Sequence, residues 1–286
     1  MAMLRIGQVE VLRADDGPFR LDGGAMFGAV PKPLWEKECP ADARNRISMT
    51  CNCWLLRSGG HLVMVDAGMG RDWDAKLSAI YGLDASAPTL LDGLDRLGVR
   101  REEVRTVLLT HLHFDHCGWA TRPDGAGGHV PTFPNAEYLV HELEWADAHD
   151  PDGRDAGSYL GQLYDPLEKA GQLRRLSGRA EIAVTDWLTA VPSGGHTRGH
   201  LAWRVDSGGQ RALGPGELCP LAAHRRPRWI MGYDCYPVET LEAKRRLLGA
   251  AESGGWPVLL NHDPAQPAGR LVRRGPRQLD FDPLAV

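Results

Sequence analysis

The sequence predicts an α+β fold in which sheets pack face to face and helices cover their outer sides. Short apolar runs typical of strands are grouped in hairpins, they alternate with segments of helical spacing, and no low-complexity linker separates the two halves. Sheets and amphipathic helices each bury one side, so this alternation favours layers around a common core. We therefore expect a single domain spanning residues 1–286.

The first half of the chain predicts strands, a hairpin and two helices that lead to a histidine-rich segment. Residues 13–48 lack clear periodicity, and we expect them to form an irregular excursion near the site or at an interface. The other predicted elements of this half are a strand over Leu4–Leu12, a hairpin over Cys53–Val65, helices near Trp73–Tyr81 and Leu90–Leu97, and a strand over Val104–Leu109.

The second half repeats the alternation of strands and helices. Gly171 is the expected stop of a helix, because glycine is common just past a helix C-terminus. The predicted elements are strands at Tyr138–Val140, Ile182–Val191, Leu201–Val205 and Pro257–Leu260, and helices at Ser158–Ala170 and Val238–Ala251.

Composition and charge narrow the class of function. The net charge of −4 gives no basic surface for DNA or RNA, so no nucleic-acid partner is expected. No segment is apolar enough to span a membrane, and the N-terminus lacks the apolar core of a secretory signal. The six cysteines form no Cys-x-x-Cys pair, which favours reduced thiols in a cytoplasmic protein. A homodimer is compatible with these features.

Four metal-competent side chains directly follow the strand over Val104–Leu109. They are His111, His113, Asp115 and His116. Burying unpaired imidazoles and a carboxylate together would be costly, so a mere core role for all four is unfavourable. Imidazole and carboxylate ligands suit Zn²⁺ and related divalent ions, and the segment predicts a metal site.

Further ligands are expected from other strand ends, because such sites assemble where several strands terminate at one edge. Each candidate follows an apolar run or a glycine-rich turn. The candidates are His196, His200, Glu217 and His262.

The motifs and their order resemble the metallo-β-lactamase superfamily, and the stretch Trp229–Asp234 is similar to its lactonase and organophosphate-hydrolase-like branch. The resemblance implies a four-layer αββα sandwich of two mixed sheets, with a metal site at the edge where the sheets meet. The motifs are Val65-Asp66-Ala67-Gly68, His111-x-His113-x-Asp115-His116, Gly195-His196-Thr197-x-Gly199-His200 and His262-Asp263.

The resemblance implies a binuclear centre with two divalent ions, zinc in first place and manganese, iron or cobalt as alternatives. One ion would be held by His111, His113 and His196, and the other by Asp115, His116 and His262.

Glu217 is the expected bridging ligand, although the family usually has an aspartate there. The extra methylene moves the carboxylate by about 1.5 Å, so a backbone shift, a weaker second ion and a bridge made by water alone stay open. His200 and Asp66 are expected to orient a loop and a ligating histidine, respectively.

The resemblance also implies a metal-dependent hydrolase that acts on a lactone or another ester, with phosphotriester hydrolysis as a side activity. Two divalent ions lower the pKa of a shared water from about 15.7 toward about 7. Asp115 is the candidate for passing the proton to the leaving alkoxide. Tyr233 is a candidate donor to the substrate oxygen, with a core tyrosine as the alternative. An apolar acyl pocket is expected at Met26, Phe27 and Trp35.

Two other functions remain open at this point. One is a mononuclear iron oxygenase of the persulfide-dioxygenase type on the same fold. The glutamate at position 217, in place of the usual aspartate, makes a site with a single metal ion easier to accept. The other is a metal-binding sensor without turnover, against which the complete ligand set argues. Metal identity and stoichiometry separate the first of these from a binuclear hydrolase.

Overall fold

A computed structural model describes residues 3–151, 153–276 and 278–286 as a mixed α and β structure. The strands, in chain order, are β1 (Leu4–Ile6), β2 (Val9–Asp22), β3 (Arg46–Ser58), β4 (His61–Val65), β5 (Thr106–Leu108), β6 (Thr121–Pro123), β7 (His129–Pro131), β8 (Glu137–His141), β9 (Leu173–Leu176), β10 (Ile182–Ala183), β11 (Leu188–Pro192), β12 (Leu201–Ser207), β13 (Gln210–Gly214), β14 (Pro257–Leu259), β15 (Ala268–Gly275) and β16 (Gln278–Pro283). The α-helices are α1 (Gly23–Phe27), α2 (Lys32–Trp35), α3 (Ala75–Tyr81), α4 (Leu90–Arg96), α5 (Phe114–Cys117), α6 (Glu142–His149), α7 (Asp165–Lys169) and α8 (Pro237–Gly254).

Two seven-stranded sheets form the centre of the structure. The first has the order β1-β2-β3-β4-β5-β8-β9 and the second the order β10-β11-β12-β13-β14-β15-β16. In the first sheet β4, β5, β8 and β9 run parallel, and in the second β13 and β14 do; the other neighbours are antiparallel. Both sheets are therefore mixed, as predicted.

The layers follow from which faces are buried. Trp54 and Val65 of the first sheet share one apolar cluster with Trp203 and Leu259 of the second, so the sheets face each other. The outer face of the first sheet packs on helices that include α4 and α6. The outer face of the second packs on α8, where Leu248 belongs to the same cluster as strand residues of β13 and β14. This confirms the predicted αββα sandwich.

Strand direction brings distant parts of the chain to one edge. Strands β4 and β5 are parallel, so Asp66 and the segment beginning at Thr110 leave the first sheet at the same end. In the second sheet the parallel strands β13 and β14 likewise lead to Glu217 and His262. Parallel strands end at a common edge, and this topology collects the predicted ligands there.

The N-terminal region differs from the prediction in two ways. The expected strand over Leu4–Leu12 turns back at Gly7, whose φ of 57° suits the left-handed region, and pairs as β1 and β2. The expected irregular excursion over residues 13–48 is wrong at both ends, because β2 continues to Asp22 and β3 begins at Arg46. A register shift between Asp15 and Pro18 in the β2–β3 pairing breaks the alternation that would have revealed the strand.

Two predicted elements in the second half are shorter than expected. The helix over Ser158–Ala170 consists of two 3₁₀ turns followed by α7, which begins near Pro166. The strand over Ile182–Val191 is divided into β10 and β11, with Thr185 accepting hydrogen bonds in the turn between them. Helix α6 and the β15–β16 hairpin were not predicted.

Asp16 ties the bulge of β2 to the loops behind the site. Its carboxylate accepts hydrogen bonds from the backbone N–H groups of Met69, Gly70 and Leu90 and from the indole N–H of Trp119, at 2.6 to 2.9 Å. Four donors on one carboxylate satisfy its lone pairs away from water.

Within the described part of the chain, none of the helices is both long and apolar enough to cross a lipid bilayer.

Candidate metal centre

The segment that follows β5 changes direction within a few residues. His113 is the N-cap of the short helix α5, with extended backbone angles (φ −64°, ψ 149°), and Asp115 and His116 lie on the first turn. The bend therefore begins at Phe114. His111 and His113 point from the extended part, whereas Asp115 and His116 approach from the helix, so one segment serves two groups of ligands.

The first group consists of His111, His113 and His196, whose ligand atoms lie within 4.8 Å of one another. The Nε2 atom of His196 lies 3.1 Å from the Nδ1 atom of His113. All three side chains are buried, so water does not compensate the close approach of their nitrogens. The structure thus brings together the residues that the sequence assigned to one ion.

The second group consists of Asp115, His116 and His262, again within 4.8 Å. The two Nε2 atoms of the histidines lie 3.0 Å apart. The Oδ2 atom of Asp115 lies 3.6 Å from His262 Nε2 and 3.9 Å from His116 Nε2. These are the residues assigned to the other ion.

Hydrogen bonds at the far side of each ring show which nitrogen faces the centre. His116 Nδ1 donates to Asp66 Oδ2 at 2.9 Å, and His262 Nδ1 donates to the Thr50 carbonyl oxygen at 3.0 Å. Because carboxylates and carbonyls accept only, each Nδ1 carries a proton, and in a neutral ring the Nε2 atom would then be an acceptor. Two neutral rings at 3.0 Å would repel each other, so a cation, either a proton or a metal ion, must lie between the two Nε2 atoms. Burial alone would lower the pKa of His116, but the carboxylates of Asp66 and Asp115 raise it well above its ordinary value, so the surroundings favour positive charge here.

The same reasoning applies to the first group. His196 Nδ1 donates to Asp234 Oδ1 at 2.9 Å, and His113 Nε2 faces Asp155 Oδ2 at 3.4 Å. His111 Nδ1 lies 3.1 Å from the hydroxyl of Thr110, and among the described residues no hydrogen-bond partner reaches the buried His111 Nε2. Burial lowers the pKa of His111 well below its ordinary value, so this ring is neutral.

Both donor sets fit a divalent ion. Nitrogens bound to one tetrahedral Zn²⁺ at about 2.0–2.1 Å lie about 3.3 Å from each other, close to the spacings in both groups. Each imidazole also has the outer partner that ligating histidines have in metal sites.

Glu217 lies beside the second group. Its Oε1 atom is 3.0 Å from His262 Nε2 and 3.4 Å from His116 Nε2, and no hydrogen-bond donor reaches it among the described residues. Burial alone would raise the pKa of Glu217, but the imidazoles of His262 and His116 hold it well below its ordinary value. Positive charge on these rings therefore keeps Glu217 a carboxylate, and a divalent ion between the same atoms would act in the same direction.

His200 holds the turn that carries Glu217. Its Nε2 atom accepts the backbone N–H of Glu217 at 3.0 Å, and its ring lies under Gly216, where a Cβ atom would come within 2.5 Å of Nε2. Gly216 also has a φ of 56°. His200 thus orients the loop, as predicted, and lies outside both ligand groups.

Both groups open into a pocket of about 430 Å³. This volume is in the range of small-molecule sites. The apolar wall of the pocket is formed by Leu21, Met26, Met49, Tyr81 and Phe114, and polar side chains of Arg154, Asp155, Ser158 and Tyr233 complete the lining.

The predicted acyl-pocket residues divide between the pocket and the core. Met26 lines the pocket, whereas Phe27 and Trp35 are fully buried and do not. The Phe27 ring stacks on Trp35 at 5.1 Å and on His224 at 4.7 Å. The expectation for Phe27 and Trp35 was wrong, because their rings anchor α1 and α2 to the body of the protein.

Tyr233 lies at the rim of the pocket on the loop after Trp229. The loop is fixed by a hydrogen bond from Gly232 N–H to the Ala25 carbonyl at 2.7 Å and by one from Arg154 to the Gly232 carbonyl at 2.5 Å. Burial raises the pKa of Tyr233 to about 12, and the negative charges of Asp22 and Asp115 act in the same direction. The hydroxyl therefore keeps its proton near neutral pH.

Three carboxylates that support the ligands were not assigned a role from sequence. Asp155 contacts His113, Asp234 contacts His196, and Glu144 binds backbone and side chains around the first group. Asp155 lies in an acidic turn that is typical of a solvated loop, and Glu144 lies on the unpredicted helix α6. Asp234 lies in the stretch Trp229–Asp234 that resembles the lactonase branch, and this resemblance is the sequence feature that could have indicated its role.

Comparisons with known proteins agree with this geometry. The profile of the metallo-beta-lactamase superfamily matches residues 48–218. The N-acyl homoserine lactonase AttM of Rhizobium johnstonii is 27% identical over 215 residues, which cover 72% of this chain and 76% of the relative.

Two solved structures are similar over nearly their whole length. A probable metal-dependent hydrolase from Staphylococcus aureus aligns with a TM-score of 0.89 at 27% identity, covering 98% of this chain and 99% of the other. The dizinc quorum-quenching lactonase AidC, in complex with a product, aligns with a TM-score of 0.79 at 17% identity, covering 100% and 97%. At that identity the second similarity concerns the fold alone.

Proposed function

We propose that this chain, which belongs to the metallo-beta-lactamase superfamily, is a metal-dependent hydrolase that opens the ring of acylated lactones. The observation that carries the proposal is the pair of buried ligand groups, in each of which ring nitrogens face each other at 3.0 or 3.1 Å. The named activity of the AttM relative supports a lactone as the substrate class.

We assign one divalent ion to His111, His113 and His196 and a second to Asp115, His116 and His262. Zinc is the first choice, with manganese, iron or cobalt as alternatives, since nitrogen and carboxylate donors suit all of them. Glu217 would serve the second ion, given its position beside His116 and His262. The two separate groups of three possible ligands support two ions. The AidC neighbour, which shares the fold, is described as a dizinc enzyme.

Bound divalent ions supply a water nucleophile at neutral pH and polarise a carbonyl oxygen. The side chains of the pocket would orient the substrate and handle protons. Asp115 lines the pocket and is the candidate for carrying a proton to the leaving alkoxide, and the protonated Tyr233 would donate to the substrate oxygen. The apolar wall, which includes Met26 and Phe114, would bind an acyl chain by burying it from water.

The remaining assignments rest on general features. All six cysteines are free thiols, which supports a cytoplasmic location. A small-molecule substrate as the partner agrees with the size of the pocket, and a homodimer stays a prediction.

Metal analysis combined with a substrate panel tests the proposal. Protein purified without added metal is analysed for metal content and then assayed with lactones of several acyl lengths, linear esters and a phosphotriester. We expect two zinc-like ions per chain, the highest kcat/KM for an acylated lactone, and weak phosphotriester hydrolysis.

Other outcomes would replace the proposal. One iron per chain, with oxygen uptake on a persulfide and no lactone hydrolysis, would identify a mononuclear oxygenase. Two bound ions without turnover of any panel member would identify a metal-binding sensor.

A further inference from the structure

Glu144 is a carboxylate with 0% of its surface exposed, on helix α6 and outside the pocket. A buried carboxylate is costly unless hydrogen bonds compensate it. Three donors do so: the Leu112 backbone N–H at 3.0 Å, the Tyr159 hydroxyl at 3.0 Å and the Thr197 hydroxyl at 2.5 Å.

Each donor adjoins a histidine of the first group. Leu112 lies between His111 and His113, and Thr197 directly follows His196. The ring of Tyr159 packs against that of His113 with centroids 4.9 Å apart, and the backbones of these two residues form a bridge.

The loop after His196 is also pressed against the helix that carries Glu144. A Cβ atom at Gly199 would come within 2.1 Å of the Glu144 backbone nitrogen, so the two backbones are in direct contact. The carboxylate therefore joins a loop of the first sheet to a loop of the second at a fixed distance.

We propose that Glu144 is a positioning residue that sets the spacing of His111, His113 and His196, and with it the affinity for the first ion alone. Asp66 has the corresponding position at the second group, where its Oδ2 atom accepts from His116 at 2.9 Å and from Asn261 at 2.6 Å. At the first group Glu144 acts in addition to the buried Asp234, which accepts directly from His196. The inference rests on the metal-binding part of the proposed function and is independent of the substrate.

The test compares metal affinities in Glu144→Ala and in Glu142→Ala, which removes an exposed glutamate from the same helix. Ions per chain are measured after equilibration with zinc buffered by a chelator, and the visible spectrum is recorded after cobalt(II) substitution. Loss of an outer partner typically weakens a metal site by about 10- to 100-fold. We expect that loss for one ion in Glu144→Ala, with the cobalt band of the three-histidine group altered, and none in Glu142→Ala.

Rescue by a conservative variant separates positioning from charge. In Glu144→Gln the amide oxygen can accept from Leu112 and Tyr159 while its N–H faces the Thr197 hydroxyl, so the tether survives. We expect first-ion affinity in Glu144→Gln within a few fold of the parent chain. Tyr159→Phe and Thr197→Val each remove one donor to Glu144. Their first-ion affinities should lie between those of Glu144→Ala and the parent chain.

The inference would be overturned if Glu144→Ala bound both ions as tightly as the parent chain does. It would also be overturned if Glu144→Ala lost affinity for both ions to the same extent. If Glu144→Ala does not fold, Tyr159→Phe and Thr197→Val decide, and unchanged first-ion affinity in both overturns it. A parent chain that binds no divalent ion overturns the proposed function as well. A parent chain that binds two ions but hydrolyses no lactone overturns only the proposed substrate.

Discussion

The Nε2 atoms of His116 and His262 lie 3.0 Å apart although the other nitrogen of each ring is already committed as a donor. The two histidines are separated by 146 residues in sequence and leave different sheets. Their approach requires a positive charge between them, and the nearby carboxylates of Asp115 and Glu217 supply the compensating negative charge.

Asp66→Asn should weaken the second ion selectively. Asp66 has a φ of 58°, which asparagine tolerates, so the loop keeps its shape. An amide cannot accept from Thr110, His116 and Asn261 together, and one donor would face an N–H group. We expect affinity for one ion to fall about 10- to 100-fold, measured by chelator competition. The exposed Asp72→Asn is the control, and an unchanged second ion would contradict the prediction.

Glu217→Asp should also weaken the second ion, even though aspartate is the usual residue of the family. Shortening the side chain withdraws the carboxylate by about 1.5 Å from atoms that it now approaches to 3.0 and 3.4 Å. Glu217→Gln keeps the length and removes the charge. If Glu217→Asp binds the second ion more tightly than the parent chain, the backbone has not adapted to glutamate.

Tyr233→Phe should lower kcat about 10- to 100-fold and leave metal content unchanged, because a hydrogen bond to a charged group contributes about 1.5–3 kcal/mol. The pKa of about 12 keeps the hydroxyl protonated across the assay range. Any decline of activity that the parent chain shows below about pH 10 therefore comes from another group, and Tyr233→Phe should show the same decline. Equal kcat in both proteins would show that Tyr233 takes no part in the reaction.

Asp16→Asn should destabilise the fold without removing a ligand. The carboxylate accepts from four N–H groups, and an asparagine oxygen can serve about half of them. Each unsatisfied buried donor costs about 1–3 kcal/mol, so with two of them the free energy of unfolding should fall by about 2–6 kcal/mol in urea titration. Asp15→Asn, at the more exposed neighbouring position, should change it little.

The free energy of unfolding should rise in alkaline solution because of the buried Lys244. It is buried on α8 and donates to the Trp229 carbonyl; burial lowers its pKa from 10.5 to about 8, although the nearby Cys219 and Asp234 oppose this. Because the unfolded chain binds this proton more tightly, the free energy of unfolding increases between about pH 8 and 10.5.

The size of this effect follows from the shift, at about 3 kcal/mol in total. Lys244→Met should abolish it, as seen by chemical unfolding at several pH values, whereas Lys169→Met at an exposed position should not. A parallel pH dependence in the parent chain and Lys244→Met would show that another group is responsible.

The ligand groups could be predicted because their residues are local or lie directly at strand ends. The spacing of His111, His113, Asp115 and His116 and the family-like order of His196 and His262 were sufficient. The support of these ligands could not be predicted in the same way. Glu144 and Asp155 act across the fold, and nothing in their local sequence distinguishes them from surface acids.

The fold class followed from periodicity, whereas several boundaries did not. The bulge at Asp15–Pro18 conceals a strand of 14 residues, because one shifted register exchanges the inward and outward faces. Phe27 and Trp35 were expected at the pocket because aromatic rings suit both acyl chains and cores. The stack with His224, which lies about 200 residues away, places them in the core.

Each ligand group draws on both sheets of the sandwich. His196 and His262 come from the C-terminal half, and their partners come from the loop after β5. An ion held in either group would act as a cross-link between the two halves of the polypeptide. A change in either half that moves its histidines would disrupt both groups. The two halves therefore depend on each other for metal binding.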